Sequence, residues 1–135
     1  MQGIVEMLEE LSQILQGLAL IREVSPRLKA RVCAFGERMS TSLAVEILKM
    51  AGVKASLLQS KDFLVTDAAH QDEDKYLNAT VIPKRDPEFA DKMMEKTCGF
   101  HPEVVIMQGF VARSHKGETC LLGASPCPFL LNPCP

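Results

Sequence analysis

Residues 40–58, STSLAVEILKMAGVKASLL, decide the fold. Leu43, Ile47 and Leu48 recur at the three- and four-residue steps of a helix face, so a helix is expected from about Ser40. Gly52 stands where helices end in a left-handed residue, and the apolar run at 53–58 that follows reads as a strand. Helix, glycine turn and short apolar strand form the return half of a βαβ unit. The run at 104–107, VVIM, after a helix expected at 87–96, repeats the same order. Alternation of this kind predicts a layered α/β sheet.

Working outward, Ile4, Met7, Leu8, Leu11, Ile14, Leu15, Leu18 and Ile21 form an amphipathic stripe, with Glu9, Glu10, Gln13 and Arg22 opposite, and predict an N-terminal helix. Ser25 followed by Pro26 is an N-cap with proline at the first helical position, where its missing N–H costs nothing. A second, short helix is expected there, ending near Phe35 and Gly36. Residues 67–76 are polar and charged and predict a surface excursion, and residues 79–82 a short extended piece. Residues 124–135 hold Pro126, Pro128, Pro133 and Pro135, which neither continue a strand nor sit inside a helix. The expected division is therefore one folded unit over 1–123 and an irregular Pro/Cys-rich tail over 124–135.

Composition sets bounds on function. The 135 residues carry 15 Lys+Arg against 17 Asp+Glu, and 47% of them are hydrophobic. This describes a single globular domain near neutrality. The basic residues are scattered among acidic ones, which argues against nucleic acid as a partner. Charge interrupts every apolar stretch well before the roughly 20 residues a membrane helix needs. Glu6, Glu9 and Glu10 occupy the region where a secretory signal carries basic residues, so a cytoplasmic location is expected. Cys33, Cys98, Cys120, Cys127 and Cys134 are odd in number and unevenly spread, and read as reduced thiols without disulfides. Metal binding is not expected: Cys120, Cys127 and Cys134 lack the close CxxC pairs of structural zinc sites, and His70 and His101 have no second ligand at helical spacing. Met39, Met50, Met93, Met94 and Met107 lie on or beside apolar faces and are expected in the core.

Two segments can carry chemistry. In FGERMST, residues 35–41, a carboxylate and a guanidinium stand together at an expected helix start beside two hydroxyls. Glu37 suits an ammonium group, and free N–H groups at a helix start favour an anion. The alternative is a solvated Glu37–Arg38 pair with Ser40 or Thr41 as a cap. In QGFVARSHKGETCLLG, residues 108–123, a strand ends at a glycine followed by an aromatic, the place where open α/β sheets bind ligands. The alternative is a β-hairpin turning at 115–118, with His115 exposed. No glycine-rich phosphate loop with a lysine occurs, and no nucleophile and base fall in a convincing order.

Residues 20–58, DFLVTD at 62–67, and VIMQGFVARSHKGETCLLG at 105–123 together resemble, in order, the aspartate kinases of the amino-acid kinase family. The resemblance implies a three-layer αβα sandwich with a mainly parallel sheet, of which residues 1–123 form the amino-acid-binding half of the catalytic domain. It implies a parent activity of ATP-dependent phosphorylation of the aspartate side-chain carboxylate, with L-aspartate and MgATP as the parent family's ligands. Carried over by position, Glu37 holds the substrate's α-amino group and Phe110 lines the aspartate pocket, with Ser40 and Thr41 in the same motif. The departures are as specific. The family's Lys-x-Gly-Gly loop is absent from these residues, and Ala124-Ser125-Pro126-Cys127-Pro128 stands where Arg-Gly-Gly-Ser-Asp is expected. The chain accordingly reads as a truncated member with an altered end, without catalytic residues or a bound cofactor of its own. Without the loop and the clamp, such a chain is expected to be inactive. A non-catalytic module that self-associates through uncovered apolar surface is the alternative.

Overall fold

A computed structural model of the chain describes residues 2–68, 72–82 and 103–123. Helix α1 spans Gln2–Ile21 and helix α2 spans Pro26–Met50, followed by strand β1, Ala55–Leu58. A one-turn helix α3, Ser60–Phe63, and a 3₁₀ turn, Glu73–Tyr76, lead to strands β2, Val104–Met107, β3, Val111–Arg113, and β4, Thr119–Leu121. The helix expected at 87–96, the tail at 124–135, and Met93, Met94, His70, His101, Cys98, Cys127 and Cys134 lie outside the described residues.

The expected α/β character holds at the level of helices packed on a small parallel sheet. β1 pairs parallel with β2, Ala55 opposite Val104 and Leu58 opposite Met107. β3 pairs antiparallel with β4, Ala112 opposite Cys120, so the hairpin reading of 108–123 is correct. Its turn closes at Gly117, whose φ of 83° suits glycine. The extended piece at 79–82 is also present, bridging Thr66 through Val81 and Leu122 through Ala79. With Val65 bridging Arg113, four short segments close into a small ring around Leu64, Val81, Ala112 and Leu122.

The expected break between two helices is overturned. No helix ends near Gly36 and none begins near Ser40, because α2 runs unbroken for 25 residues. A single glycine inside a helix costs on the order of 1 kcal/mol relative to alanine, and α2 offsets that by packing along its length. Ala30, Ala34, Phe35 and Val45 are buried on it. Ala30 and Ala34 are small enough for the helix to lie close on Val111, Cys120, Leu121 and Tyr76. The ends behave as expected. Ser25 Oγ accepts the Leu28 N–H at 3.3 Å. At the other end Gly52 N–H donates to Lys49 O and Val53 N–H to Leu48 O, each at 3.0 Å. That is a Schellman closure, with Gly52 at φ 84°.

Met50 departs from its expected core position and is 88% exposed, and Met107 is at the surface too. Both lie at element ends, past the last packed turn or at the open side of β2. α1 covers part of α2, tied by Arg31 to Glu10 at 2.5 Å, while Leu8, Leu15, Leu20 and Ile21 remain exposed. An ion pair that open to water contributes little.

Tyr76 ends the polar excursion but is fully buried. Its hydroxyl donates to Glu118, which also receives Arg27 Nη1 at 2.7 Å. Helix α2, the 3₁₀ turn and the hairpin are thereby joined at one carboxylate. Burial, then the hydrogen bond and charge of Glu118, push the Tyr76 hydroxyl up from its usual 10.0 to about 12.

Two predictions follow from these features. Gly36→Ala, with open space at its Cβ, is expected to stabilise the chain by roughly 0.5–1 kcal/mol. Gly52→Ala, equally open but at positive φ, is expected to destabilise it by about 1 kcal/mol; thermal melts of both variants read the contrast. Tyr76 is the sole tyrosine, so tyrosinate absorbance reports it alone. The folded chain should titrate near 12 and the urea-unfolded chain near 10. Because the folded value is the higher one, stability is retained below pH 10 and lost as pH rises towards 12.

Candidate functional site

β1 and β2 run parallel, so their C-terminal ends open together, with α2 packed against both. This is the edge at which open α/β sheets place ligands. Gln59 and Ser60 follow β1; Gln108, Gly109 and Phe110 follow β2. From the helix side, Glu37 and Thr41 stand one turn apart and meet them.

Glu37 Oε1 accepts the Gly109 N–H at 3.0 Å. Thr41 Oγ1 donates to Glu37 O at 2.7 Å and accepts from Gln108 Nε2 at 3.4 Å. Gln108 is 2% exposed. Its amide also donates to Gln59 Oε1 at 3.2 Å, and its Oε1 accepts the Ser60 N–H at 2.9 Å. Ser60 Oγ completes the network by donating to Val111 O at 2.5 Å. No buried side-chain nitrogen or oxygen among the described residues lacks a partner.

Of the four residues singled out from sequence, the structure brings Glu37 and Thr41 together with the QGF segment. Phe110 follows directly on Gly109 and is 44% exposed. Ser40 stays outside the cluster: its hydroxyl is exposed and donates back to Glu37 O at 3.1 Å. Two details of the FGERMST reading are corrected. Because α2 is continuous, no free helix-start N–H groups exist at 36–41 for an anion, and neither Ser40 nor Thr41 is a cap. The hydroxyls of Ser40, Thr41 and Ser42 bond instead to carbonyls three or four residues earlier. No Glu37–Arg38 ion pair forms either: Glu37 turns to Gly109, and the Arg38 guanidinium lies 5.0 Å from the centre of the Phe35 ring.

Gln108 and Ser60 were not singled out in the sequence. The available signal was a glutamine between the apolar run VVIM and a glycine, a place where a long polar side chain must find buried partners. Among the described residues no group of three or more His, Cys, Asp or Glu lies close enough to hold a metal ion. Cys33 is a free, exposed thiol and Cys120 a free, buried one, whose ionisation burial pushes upward. His115 is exposed, as expected. No helix among the described residues is long and apolar enough to cross a membrane.

The arrangement is a carboxylate presented at the carboxyl edge of parallel strands and held by a backbone N–H, with Phe110 next in the chain; chemically, such a carboxylate can accept a small cationic group. Comparison with known proteins is more specific. No family model matches the chain. The chain is 29% identical over 123 residues to the chloroplastic aspartokinase 1 of Arabidopsis thaliana, a match covering 89% of this chain and 20% of the relative. Its fold superposes on Escherichia coli aspartokinase III solved with aspartate and ADP, with a TM-score of 0.73 and 28% identity over 91% of this chain and 25% of that one. The same enzyme solved with lysine and aspartate gives a TM-score of 0.74 and 27% identity over 92% and 26% of the two chains. The chain thus resembles aspartate kinase in sequence and fold over most of its length, and spans about a fifth of the curated relative.

Ser60→Ala should destabilise the chain by about 1 kcal/mol, because the Val111 carbonyl loses its donor in a site that water does not reach. Urea denaturation of the two chains measures it, and an unchanged midpoint would show that the hydroxyl bond to Val111 O adds no stability.

Proposed function

We propose that these residues form the amino-acid-binding part of an aspartate-kinase-type catalytic domain, whose parent activity is ATP-dependent phosphorylation of the aspartate side-chain carboxylate in amino-acid biosynthesis. The observation that carries this reading is the bond from Gly109 N–H to Glu37 Oε1 at 3.0 Å, which joins the two motifs of the resemblance at one sheet edge. Glu37 Oε2 has no partner among the described residues and accepts the substrate's α-ammonium; a carboxylate is the strongest neutral-pH acceptor for that group. Phe110 forms an apolar wall beside it. Thr41 braces the helix turn that carries Glu37, while Ser40 belongs to the motif without touching the cluster. A cytoplasmic location fits the composition.

The residues present do not fit MgATP: the sequence contains no Lys-x-Gly-Gly loop and places Ala124-Ser125-Pro126 after Gly123. Phosphoryl transfer relies on positioned cations and amides, so the 135 residues alone are expected to show no turnover. Among the described residues no guanidinium bonds into this cluster, and the lack of such a partner costs an aspartate carboxylate about 2–5 kcal/mol. As a second reading, the exposed Leu43 and Ile47 of α2 support self-association, which light scattering across concentration measures.

Three measurements test the main reading. A coupled ATP-consumption assay with aspartate should stay at background, and calorimetry should give no saturable isotherm below millimolar aspartate. Above that range, aspartate should perturb the Gly109 and Phe110 amide resonances, and Glu37→Ala should abolish the effect. Perturbation elsewhere, or turnover lost in Glu37→Ala, would reject the respective part.

A further inference from the structure

Glu37 Oε2 is open among the described residues, and the geometry shows what fixes the carboxylate. Gln108 and Gly109 grip one turn of α2 at both ends. The Gln108 side chain reaches Thr41 Oγ1 at 3.4 Å, and the next backbone N–H reaches Glu37 Oε1 at 3.0 Å. Thr41 Oγ1 closes the turn by donating to Glu37 O at 2.7 Å. On its other side Gln108 is pinned by the Ser60 N–H at 2.9 Å and by Gln59 Oε1 at 3.2 Å. A primary amide that is 2% exposed with both donors and its acceptor engaged has one orientation, because any other leaves a buried polar atom unpaired.

We propose that Gln108 is the positioning residue of this site: its buried amide sets the β2 terminus against α2 so that Gly109 N–H occupies one oxygen of Glu37 and the other is presented to an ammonium group. The role does not require Gln108 to touch the ligand. It rests, for the ligand's identity, on the reading of Glu37 as an ammonium acceptor. The placement of the carboxylate itself stands on the hydrogen bonds alone. The network also explains why the helix residue one turn after Glu37 carries a hydroxyl: it is the acceptor for the Gln108 amide and a donor to the Glu37 carbonyl at once.

The test uses the ¹⁵N-labelled 135-residue chain. Gln108→Met keeps the side-chain length and removes the amide; Thr41→Val removes only the helix-side partner and keeps the Ser60 bond. In both, Gly109 amide exchange should quicken about tenfold, while exchange at Thr66, whose N–H is bonded to Arg113 O at 2.8 Å, stays unchanged. Glu37→Gln should shift the Gly109 resonance in the parent chain and add no further shift in either background. That loss of coupling is what a merely structural role would not produce. Unchanged Gly109 protection, or a Glu37→Gln shift that persists in either background, overturns the proposal. If Gln108→Met fails to fold, Thr41→Val decides by the same two readouts. With decoupling observed, aspartate added above millimolar separates the two claims: a Gly109 response in the parent chain that weakens in Thr41→Val supports both. No response in the parent chain leaves Gln108 as the residue that places the carboxylate and rejects the ammonium-site reading.

Discussion

The continuity of α2 through Gly36 is the constraint on which the rest of the structure depends. Helix α2 contacts α1, β1, β2, β4 and the 3₁₀ turn, and each contact uses a different stretch of the same rod. Arg27 in its first turn meets Glu118, Ala30 and Ala34 seat the hairpin, Glu37 and Thr41 meet the β2 terminus, and the Gly52 closure redirects the chain into β1. At about 1.5 Å of rise per residue, Arg27 and Glu37 lie roughly 15 Å apart along the axis. A helix that ended at Gly36 would let those two anchor points pivot about each other, and the carboxylate would no longer be held in register with the strand ends.

The buried polar residues mark where the strands hand over to loops. Ser60, Thr66, Gln108 and Ser114 are the polar residues buried among those described, and each sits just beyond or beside a short strand segment. Ser60 and Gln108 join β1 to β2 beyond their last ladder bonds. Thr66 Oγ1 donates to Arg113 O at 3.2 Å, and Ser114 Oγ accepts from the Lys116 and Glu118 N–H groups at 3.3 and 3.2 Å. Strands of three or four residues leave many backbone groups without ladder partners, and burial makes each a liability unless a side chain answers it. The site at the β1–β2 edge therefore belongs to the same set of solutions that closes the neighbouring ring.

What the sequence disclosed was periodic or local. The α1 stripe, the Ser25–Pro26 start, the Gly52 stop, the parallel strand runs and the Gly117 turn each depend on residues within a few positions of one another, and all were readable. Gly36 misled because a glycine after an aromatic looks like a stop, whereas the burial of Phe35 and Ala34 on one side and Val45 on the other outweighs a propensity penalty of about 1 kcal/mol. Tyr76 was hidden in a charged excursion because its partner, Glu118, lies 42 residues away. Glu37 was legible in FGERMST as a partner for an ammonium group and Phe110 through resemblance; what joins the two segments, Gln108, was not, since it depends on a crossing of α2 with β2 that no short window contains.

The same argument separates the shape of the site from its chemistry. Every bond that orients Glu37 is made by residues between 37 and 111, so its geometry is fixed locally even though the aspartokinase relative is about five times as long as the matched segment. A hydrogen bond from Gly109 costs the carboxylate one oxygen and gives the other a direction; an incoming ammonium then meets an acceptor that needs no reorganisation. Anchoring the opposite, anionic end of an amino acid needs cationic groups, and none among the described residues bonds into this cluster. Under the proposed reading the chain thus carries orientation at one end of the ligand without grip at the other, which is the physical reason that a well-formed carboxylate and a weak affinity belong together here.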